Sequence, residues 1–186
     1  MLRVLALVVA GLALTTAPAG GCCIRVHLGP RSVEKGVPPP LAIGDSVMIA
    51  AARRLARAGF EVDAREGRFM RHALRILRKR KRRHIRPEVV VIAIGTNYPA
   101  SFRQIRRALT LLGHHRTLAL VTPKRSWRGI GGPAIWRAKR HWPHRIQVLD
   151  WVGYSAAHPR WFWSDGTHLR PSGARGFTRL LRTALP

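Results

Sequence analysis

A serine, a histidine and an aspartate stand in two short motifs whose residue types suit nucleophilic catalysis. Ser46 ends a Gly-Asp-Ser motif, and His168 follows Asp165 by three residues in an Asp-Gly-Thr-His motif. A serine hydroxyl becomes a strong nucleophile when an imidazole removes its proton, and a carboxylate orients that imidazole and stabilises its charged form. The sequence therefore predicts Ser46 as nucleophile, His168 as base and Asp165 as the partner of His168.

A third motif, Gly-Thr-Asn, ends at Asn97 and supplies a side-chain amide. Such an amide can donate a hydrogen bond to the oxyanion that forms when the serine attacks a carbonyl carbon. Each motif alone has an ordinary explanation, since serine often caps a helix and aspartate often begins a turn. Their joint occurrence favours catalysis, because all three are expected at one end of the same sheet.

The elements that must position these motifs follow an α/β pattern from Leu41 onward, where short apolar segments alternate with basic amphipathic ones. The segment VVVIAIG at 89–95 is apolar on both faces, which is typical of a central parallel strand covered by helices. We predict a three-layer α/β/α domain with a five-stranded parallel sheet. The predicted strands are 41–44, 60–62, 89–95, 118–122 and 146–149, and the predicted helices are 47–58, 69–83, 102–112, 134–140 and 172–185.

Three blocks resemble the SGNH (GDSL-type) hydrolases: LAIGDSVM at 41–48, VIAIGTN at 91–97 and WSDGTHL at 163–169. The resemblance extends from Leu41 to the end of the chain. It implies a flavodoxin-like sheet and a triad of Ser46, His168 and Asp165.

The same resemblance implies an oxyanion site built from the Ser46 backbone, the Asn97 side chain and a glycine of a second block, for which Gly67 is the candidate. Gly67 is equally explained as a turn residue that needs a positive φ. Tyr98 stands where the common hydrolase pattern has aspartate. That departure, the Gly-Thr-Asn block and the valine after Ser46 are most similar to extracellular domains that O-acetylate peptidoglycan or other surface glycans.

Two tryptophans, Trp161 and Trp163, come just before the Asp165 motif and are predicted to bind substrate by stacking on a sugar ring. The alternative is that these rings form the buried edge of a hydrophobic lid. The histidines at 114, 115, 141 and 144 have no acidic or cysteine partner at ligand spacing, so we predict no metal and no cofactor.

The chain is strongly basic, with 34 Lys and Arg against 8 Asp and Glu and a net charge of +26. Such a charge favours polyanionic surroundings, although the arginine excess is equally explained by a GC-rich coding sequence. A hydrophobic share of 46% is enough to close one core and excludes a wholly disordered chain. The basic run at 78–83 is interpreted as a solvated helix end, with a contact to wall polymer or phosphate as the alternative.

The amino terminus predicts export. Arg3 precedes the apolar run 4–14, and 17–19 fits an A-x-A cleavage site, so 1–21 is predicted to be a signal peptide. Cys22 is the alternative point of lipid attachment, and an uncleaved anchor also remains open. Residues 22–40, with three consecutive prolines, are predicted to be a linker, and 41–186 the folded domain.

These features predict an exported serine esterase or acyltransferase that acts on O-acyl groups, above all acetyl esters of cell-envelope carbohydrate, through a covalent acyl-enzyme. The expected protein is a secreted or envelope-associated monomer with an anionic envelope polymer as a further partner, and nucleic acid is not an expected partner. The alternative is a noncatalytic module that binds a polyanion or wall polymer on the same fold. The residues leave open whether water or a sugar hydroxyl accepts the acyl group.

Overall fold

The structure is a computed structural model that describes residues 24–30, 36–124 and 132–186. The predicted signal peptide and Cys22 lie outside these residues. The described chain forms one six-stranded sheet with β1 (Arg25–Leu28), β2 (Leu41–Gly44), β3 (Glu61–Arg65), β4 (Val89–Ala93), β5 (Thr117–Val121) and β6 (Ile146–Leu149). The helices are α1 (Ser46–Ile49), α2 (Ala52–Arg57), α3 (Met70–Arg82), α4 (Phe102–Leu112), α5 (Pro133–His141), α6 (Trp151–Ser155) and α7 (Pro171–Arg182), with one 3-10 turn at Pro159–Trp161.

The sheet order is β1-β3-β2-β4-β5-β6, and the five strands β2 to β6 are parallel to one another. This confirms the predicted α/β architecture and corrects the strand count and the all-parallel sheet. The sixth strand, β1, lies within the segment predicted to be a linker and pairs antiparallel with β3. Its sequence RVHL has no continuous apolar run, because this edge strand is only half-buried.

The sheet carries one apolar layer on each face, as the three-layer prediction requires. Alternate residues of β4 serve the two layers: Val91 and Ala93 pack with α1, α2 and α7, whereas Val90 and Ile92 pack with α3, α4 and α5. All five residues of β4 are buried, which explains why its sequence is apolar without alternation.

Two helical details differ from the prediction. The helix expected at 47–58 is divided by Ala50 and Ala51 into α1 and α2. The five-residue helix α6 was not predicted; Asp150 caps it by accepting a hydrogen bond from the backbone N–H of Gly153 at 3.2 Å. No helix within the described ranges combines the length and the apolar character that crossing a membrane would need.

Candidate active site

Ser46, His168 and Asp165 form one hydrogen-bonded chain. His168 Nε2 lies 3.0 Å from Ser46 Oγ, and His168 Nδ1 lies 2.7 Å from Asp165 Oδ2. The backbone N–H groups of Thr167 and His168 donate to the other carboxylate oxygen, Asp165 Oδ1, at 2.8 and 2.9 Å. The fold thus joins two motifs that are 122 residues apart in the chain.

The hydrogen bond from His168 is the main cause that lowers the pKa of Asp165 to about 2, and the two backbone donors add to it. An ionised carboxylate only accepts hydrogen bonds, so Nδ1 of His168 must be the donor in this pair. In a neutral imidazole, Nε2 is then the acceptor that faces the Ser46 hydroxyl. Asp165 therefore selects the tautomer in which His168 can remove a proton from serine.

Ser46 is held by the residue before it. Asp45 is 1% exposed and caps α1 through a hydrogen bond from the backbone N–H of Val47 to Oδ1 at 3.2 Å. Its second oxygen, Oδ2, accepts from the backbone N–H groups of Gly95 and Thr96 at 3.3 and 3.2 Å. One buried carboxylate thus ties the end of β2 to the loop after β4.

Burial raises the pKa of Asp45, and the three backbone donors act in the opposite direction. Sequence reasoning gave this residue no separate role. The available signal was its position: Asp45 is one of only eight acids and stands directly after a buried strand.

Asn97 lies two residues beyond Gly95 in the loop that Asp45 holds. Its amide nitrogen Nδ2 is buried and has no hydrogen-bond partner among the described residues. A buried donor without an acceptor costs free energy, which an oxygen of a bound substrate would recover. Because Ala93 pairs with Gly44 across β4 and β2, the loop of Asn97 and the start of α1 lie at the same edge of the sheet.

Gly67 lies in the turn after β3, is exposed and has a φ of +62°. This conformation agrees with the turn explanation that the sequence left open. The turn is at the same edge of the sheet as Ser46, because Ala64 pairs with Gly44. No hydrogen bond joins Gly67 to Ser46 or to His168 among the described residues.

The two predicted substrate tryptophans differ in their surroundings. Trp163 is 50% exposed, and the Arg170 guanidinium lies 4.6 Å from its ring centroid. Trp161 is only partly exposed, and its ring stacks with His158 at 3.9 Å and with Trp151 at 5.7 Å. Trp163 therefore retains surface for a ligand, whereas the ring of Trp161 is engaged by its neighbours.

Trp161 also attaches α7 to the loop that carries Asp165 and His168. Its backbone oxygen accepts from the N–H of Arg170 at 2.9 Å, and Trp163 N–H donates to His168 O at 2.9 Å. A Cβ added at Gly173 would lie 2.2 Å from Trp161 O, and one at Gly176 would lie 2.5 Å from the Trp161 ring. This contact was missed, although two glycines three residues apart in a predicted helix indicate a close approach.

A mostly apolar cavity lies at the ends of β4 and β5, next to the neighbours of Ser46 and His168 in the chain. Its lining includes Asp45 and Val47, which flank Ser46, and Thr167, which precedes His168. Lys124, Trp151 and Phe177 complete this part of the lining. Lys124 Nζ lies 3.7 Å from the centroid of Phe162, and burial lowers the pKa of this amine. Within the described residues no group of three or more potential metal ligands is present.

Comparison with curated proteins gives similarity to O-acetyltransferases. The sequence is 30% identical over 148 residues to the Bacillus subtilis (strain 168) protein named "Putative peptidoglycan O-acetyltransferase YrhL", covering 78% of this chain and 23% of that protein. It is 28% identical over 149 residues to "Peptidoglycan O-acetyltransferase OatA" of Listeria monocytogenes, covering 78% and 24%. The chain thus spans about a quarter of the length of these relatives. No family model matches the sequence.

Solved structures share the fold. The C-terminal catalytic domain of peptidoglycan O-acetyltransferase A from Streptococcus pneumoniae, solved with a methylsulfonyl adduct, superposes with a TM-score of 0.65 at 23% identity, covering 80% of this chain and 93% of that domain. A protein from Slackia heliotrinireducens, described as "a putative SGNH hydrolase", gives a TM-score of 0.61 at 18% identity, covering 79% and 98%. Both comparisons show that this chain shares the α/β fold of those two proteins.

Proposed function

We propose that this chain is a member of the SGNH hydrolase superfamily and an exported serine enzyme that transfers or hydrolyses O-acyl groups, above all O-acetyl groups, on cell-wall carbohydrate. The observation that carries the proposal is the continuous chain of contacts from Asp165 through His168 to Ser46 Oγ, at 2.7 and 3.0 Å. The named relatives, which are peptidoglycan O-acetyltransferases, support the cell wall as the site of action.

In the first half-reaction Ser46 Oγ attacks the acyl carbonyl carbon while its proton passes to His168 Nε2. A C–O bond forms to the serine, and the carbonyl electrons move onto the oxygen to give a tetrahedral oxyanion. When the oxyanion collapses, the original ester C–O bond breaks and the departing alcohol takes the proton from His168. The product is an acyl ester on Ser46, with Asp165 stabilising the transient imidazolium.

In the second half-reaction an acceptor hydroxyl replaces the departed alcohol. His168 removes its proton, the acceptor oxygen attacks the acyl carbon, and Ser46 leaves and regains a proton from His168. Water as acceptor gives hydrolysis, and a sugar hydroxyl gives transfer. The same three side chains serve both outcomes, so the acceptor is decided by what binds beside the acyl-enzyme.

The oxyanion is held by three donors in this proposal: the backbone N–H of Ser46, the side-chain amide of Asn97 and the backbone N–H of Gly67. Asn97 has the strongest support, because its Nδ2 is buried without a partner. Gly67 is supported by its turn at the same sheet edge. Donors fixed before the reaction stabilise the developing charge without reorganisation.

Substrate binding is assigned to Trp163, with the cavity beside Val47 and Thr167 receiving the acyl group. The cavity is mostly apolar and holds about one water-sized group, which fits the methyl of an acetyl group and no longer acyl chain. Trp163 presents an exposed ring next to the His168 loop, and such a ring can stack on the apolar face of a sugar. We assign Trp161 to support of this loop instead of to sugar stacking.

Turnover of a chromogenic acetyl ester tests the proposal. The Ser46→Ala protein should lose at least about 1,000-fold in kcat, because the nucleophile is removed. Ser101→Ala is the matched control: Ser101 is an exposed serine that caps α4, so its loss should cost about 1 kcal/mol of stability and leave kcat unchanged. A folded wild-type protein that turns over no acyl ester would contradict the enzyme and favour a noncatalytic binding module.

A second assay separates hydrolysis from transfer. Wild-type protein is given the chromogenic ester with and without muropeptide or chitooligosaccharide acceptors, and acetate and acetylated sugar are measured together. Transfer predicts that acetylated sugar accumulates while free acetate falls in proportion. Hydrolysis predicts acetate alone at every acceptor concentration.

A further inference from the structure

A groove between α2 and α7 is lined by five arginines: Arg54, Arg57, Arg175, Arg179 and Arg182. The other described residues of the groove are Ala58, Thr178 and Leu185, so none of the described lining residues is acidic or aromatic. Four of the five arginines are exposed and Arg54 is partly exposed. We refer to this surface as the arginine groove.

The arginine groove concentrates positive charge without local compensation. None of its five guanidinium groups pairs with a carboxylate within the described chain, whereas Arg68 and Arg80 pair with Asp63 and Glu61. Cations in the last turn of a helix are stabilised by the helix dipole, which accounts for Arg179 and Arg182 separately. The dipole does not explain why rows from two helices line the same groove.

We propose that the arginine groove binds a linear polymer of the cell envelope that carries phosphodiester groups. Guanidinium groups present a planar fork that matches phosphate oxygens, and all five cations of the groove are arginine. Arg175, Arg179 and Arg182 stand at i, i+4 and i+7 on one face of α7, so the row extends about 10 Å along the helix. That length fits successive charges of a chain better than one isolated anion.

The lining argues against nucleic acid as the occupant. Proteins that hold single strands combine cations with aromatic rings on which the bases stack. The arginine groove offers cations with an alanine, a threonine and a leucine and no aromatic ring among its described residues. A polymer of phosphate and polyol units needs only the cations.

The arginine groove is formed by the two helical segments that follow the residues of the proposed active site. The segment from α1 to α2 starts at Ser46, and α7 starts three residues after His168. Both helices lead away from the site, and their arginines follow within the next few turns. A polymer held there would keep the domain on the wall next to its carbohydrate, a role that goes beyond acyl transfer and stands without it.

The test measures binding of the full chain to poly(glycerol phosphate) over a range of salt concentrations. Replacing Arg175, Arg179 and Arg182 by glutamine should weaken binding at least about 10-fold. The plot of log K against log salt has a negative slope, and its magnitude should fall by about 2, because three phosphate contacts are lost. The matched control replaces Arg103, Arg106 and Arg107, three exposed arginines of α4, by glutamine. It removes the same charge and should change binding less than about 3-fold.

Two further variants keep the result interpretable. The double variant Arg54→Gln with Arg57→Gln changes the side of the groove that α2 forms. It tests the groove if the α7 variant does not fold. Ser46→Ala should bind the polymer as wild type does, which separates failure of the groove from failure of the catalytic proposal. Chromogenic ester turnover by the α7 variant should be unchanged.

Three results would overturn the proposal. One is an equal loss of binding in the α4 and α7 variants, which would indicate net charge alone. Another is unchanged binding in both groove variants. The third is wild-type binding to single-stranded DNA or to a polyuronate of equal charge that is as tight as binding to the phosphate polymer.

Discussion

Two aspartates lie beside the proposed reacting groups, Ser46 and His168, and the surroundings of their carboxylates are opposite. Asp45 is buried, its pKa is raised by burial, and all its described contacts are to backbone N–H groups and the Thr96 side chain. Asp165 has a half-exposed side chain, its pKa is lowered to about 2, and its main partner is the imidazole of His168. The carboxylate of Asp45 thus holds two chain segments together, whereas the carboxylate of Asp165 carries a negative charge next to His168.

This difference indicates that replacing Asp45 and replacing Asp165 should have different consequences. Removing Asp165 should affect the chemistry and leave the fold intact, because the hydrogen bonds of its carboxylate to Thr167 and His168 lie within one exposed loop. Removing Asp45 should affect the fold first, because its carboxylate joins β2, α1 and the loop after β4. The following experiments examine this division between charge and scaffold, starting from the largest expected effect.

Asp165→Asn should lower kcat for an acetyl ester by about 1,000- to 10,000-fold, because the amide no longer selects the productive tautomer of His168. With a pKa of about 2, Asp165 is ionised in the wild-type protein at every assay pH above about 4. The variant therefore lacks this negative charge over the whole pH range of the assay. Thermal unfolding should change little. A loss of less than 10-fold would remove Asp165 from the catalytic chain.

Gly176→Ala should lower kcat by about 10- to 100-fold without touching any reacting group. The added Cβ would collide with the Trp161 ring, so the segment that supports the His168 loop must shift. Gly29→Ala is the control, because a Cβ there meets nothing within 4 Å. Equal activity of the two proteins would mean that the position of the Asp165 and His168 loop does not depend on packing against α7.

Asp45→Ala should lower the free energy of unfolding by about 2–3 kcal/mol, because three backbone N–H groups lose their acceptor in a buried site. Chemical denaturation measures this change directly. The kcat should fall less than in Asp165→Asn. If the Asp45→Ala protein were as stable as wild type but had no activity, Asp45 would take part in the reaction. Its role would then not differ from that of Asp165.

The pH dependence of Asp45→Asn gives the smallest expected effect. The folded-state pKa of Asp45 is raised above its ordinary value of 3.8, so the folded protein binds this proton more tightly than the unfolded chain does. Wild-type stability from this group is therefore present at low pH and is lost as pH rises through the folded-state pKa. Asparagine has no such loss, so the stability difference should move in favour of the variant over that window. The opposite slope would show a lowered pKa.

Much of this architecture could be predicted from the pattern of buried residues. The bounds of β2, β6 and α4 match the prediction, because those segments have a clear apolar run or helical period and a definite end. The motifs at Ser46, Asn97 and Asp165 also lie at the expected edge of the sheet. Export and the cleavage site stay predictions, since 1–21 lies outside the described residues.

The parts that were missed depend on contacts between distant segments. Strand β1 is as short as β2 and β6 but lacks their apolar run, so the sequence does not reveal it; it forms by pairing with the open edge of β3. The role of Asp45 depends on the N–H groups of Gly95 and Thr96, which are about fifty positions away in the chain. The engagement of Trp161 arises from stacking with Trp151 and His158, which its own position does not reveal.

The central claim is that Ser46 carries the acyl group, and intact-protein mass spectrometry followed by peptide mapping tests it most directly. After brief exposure to an activated acetyl ester, the wild-type protein should gain one acetyl mass on the peptide that contains Ser46. The adduct should be absent from Ser46→Ala and strongly reduced in His168→Ala. An acetyl group found on another residue, or found equally in Ser46→Ala, would contradict the account.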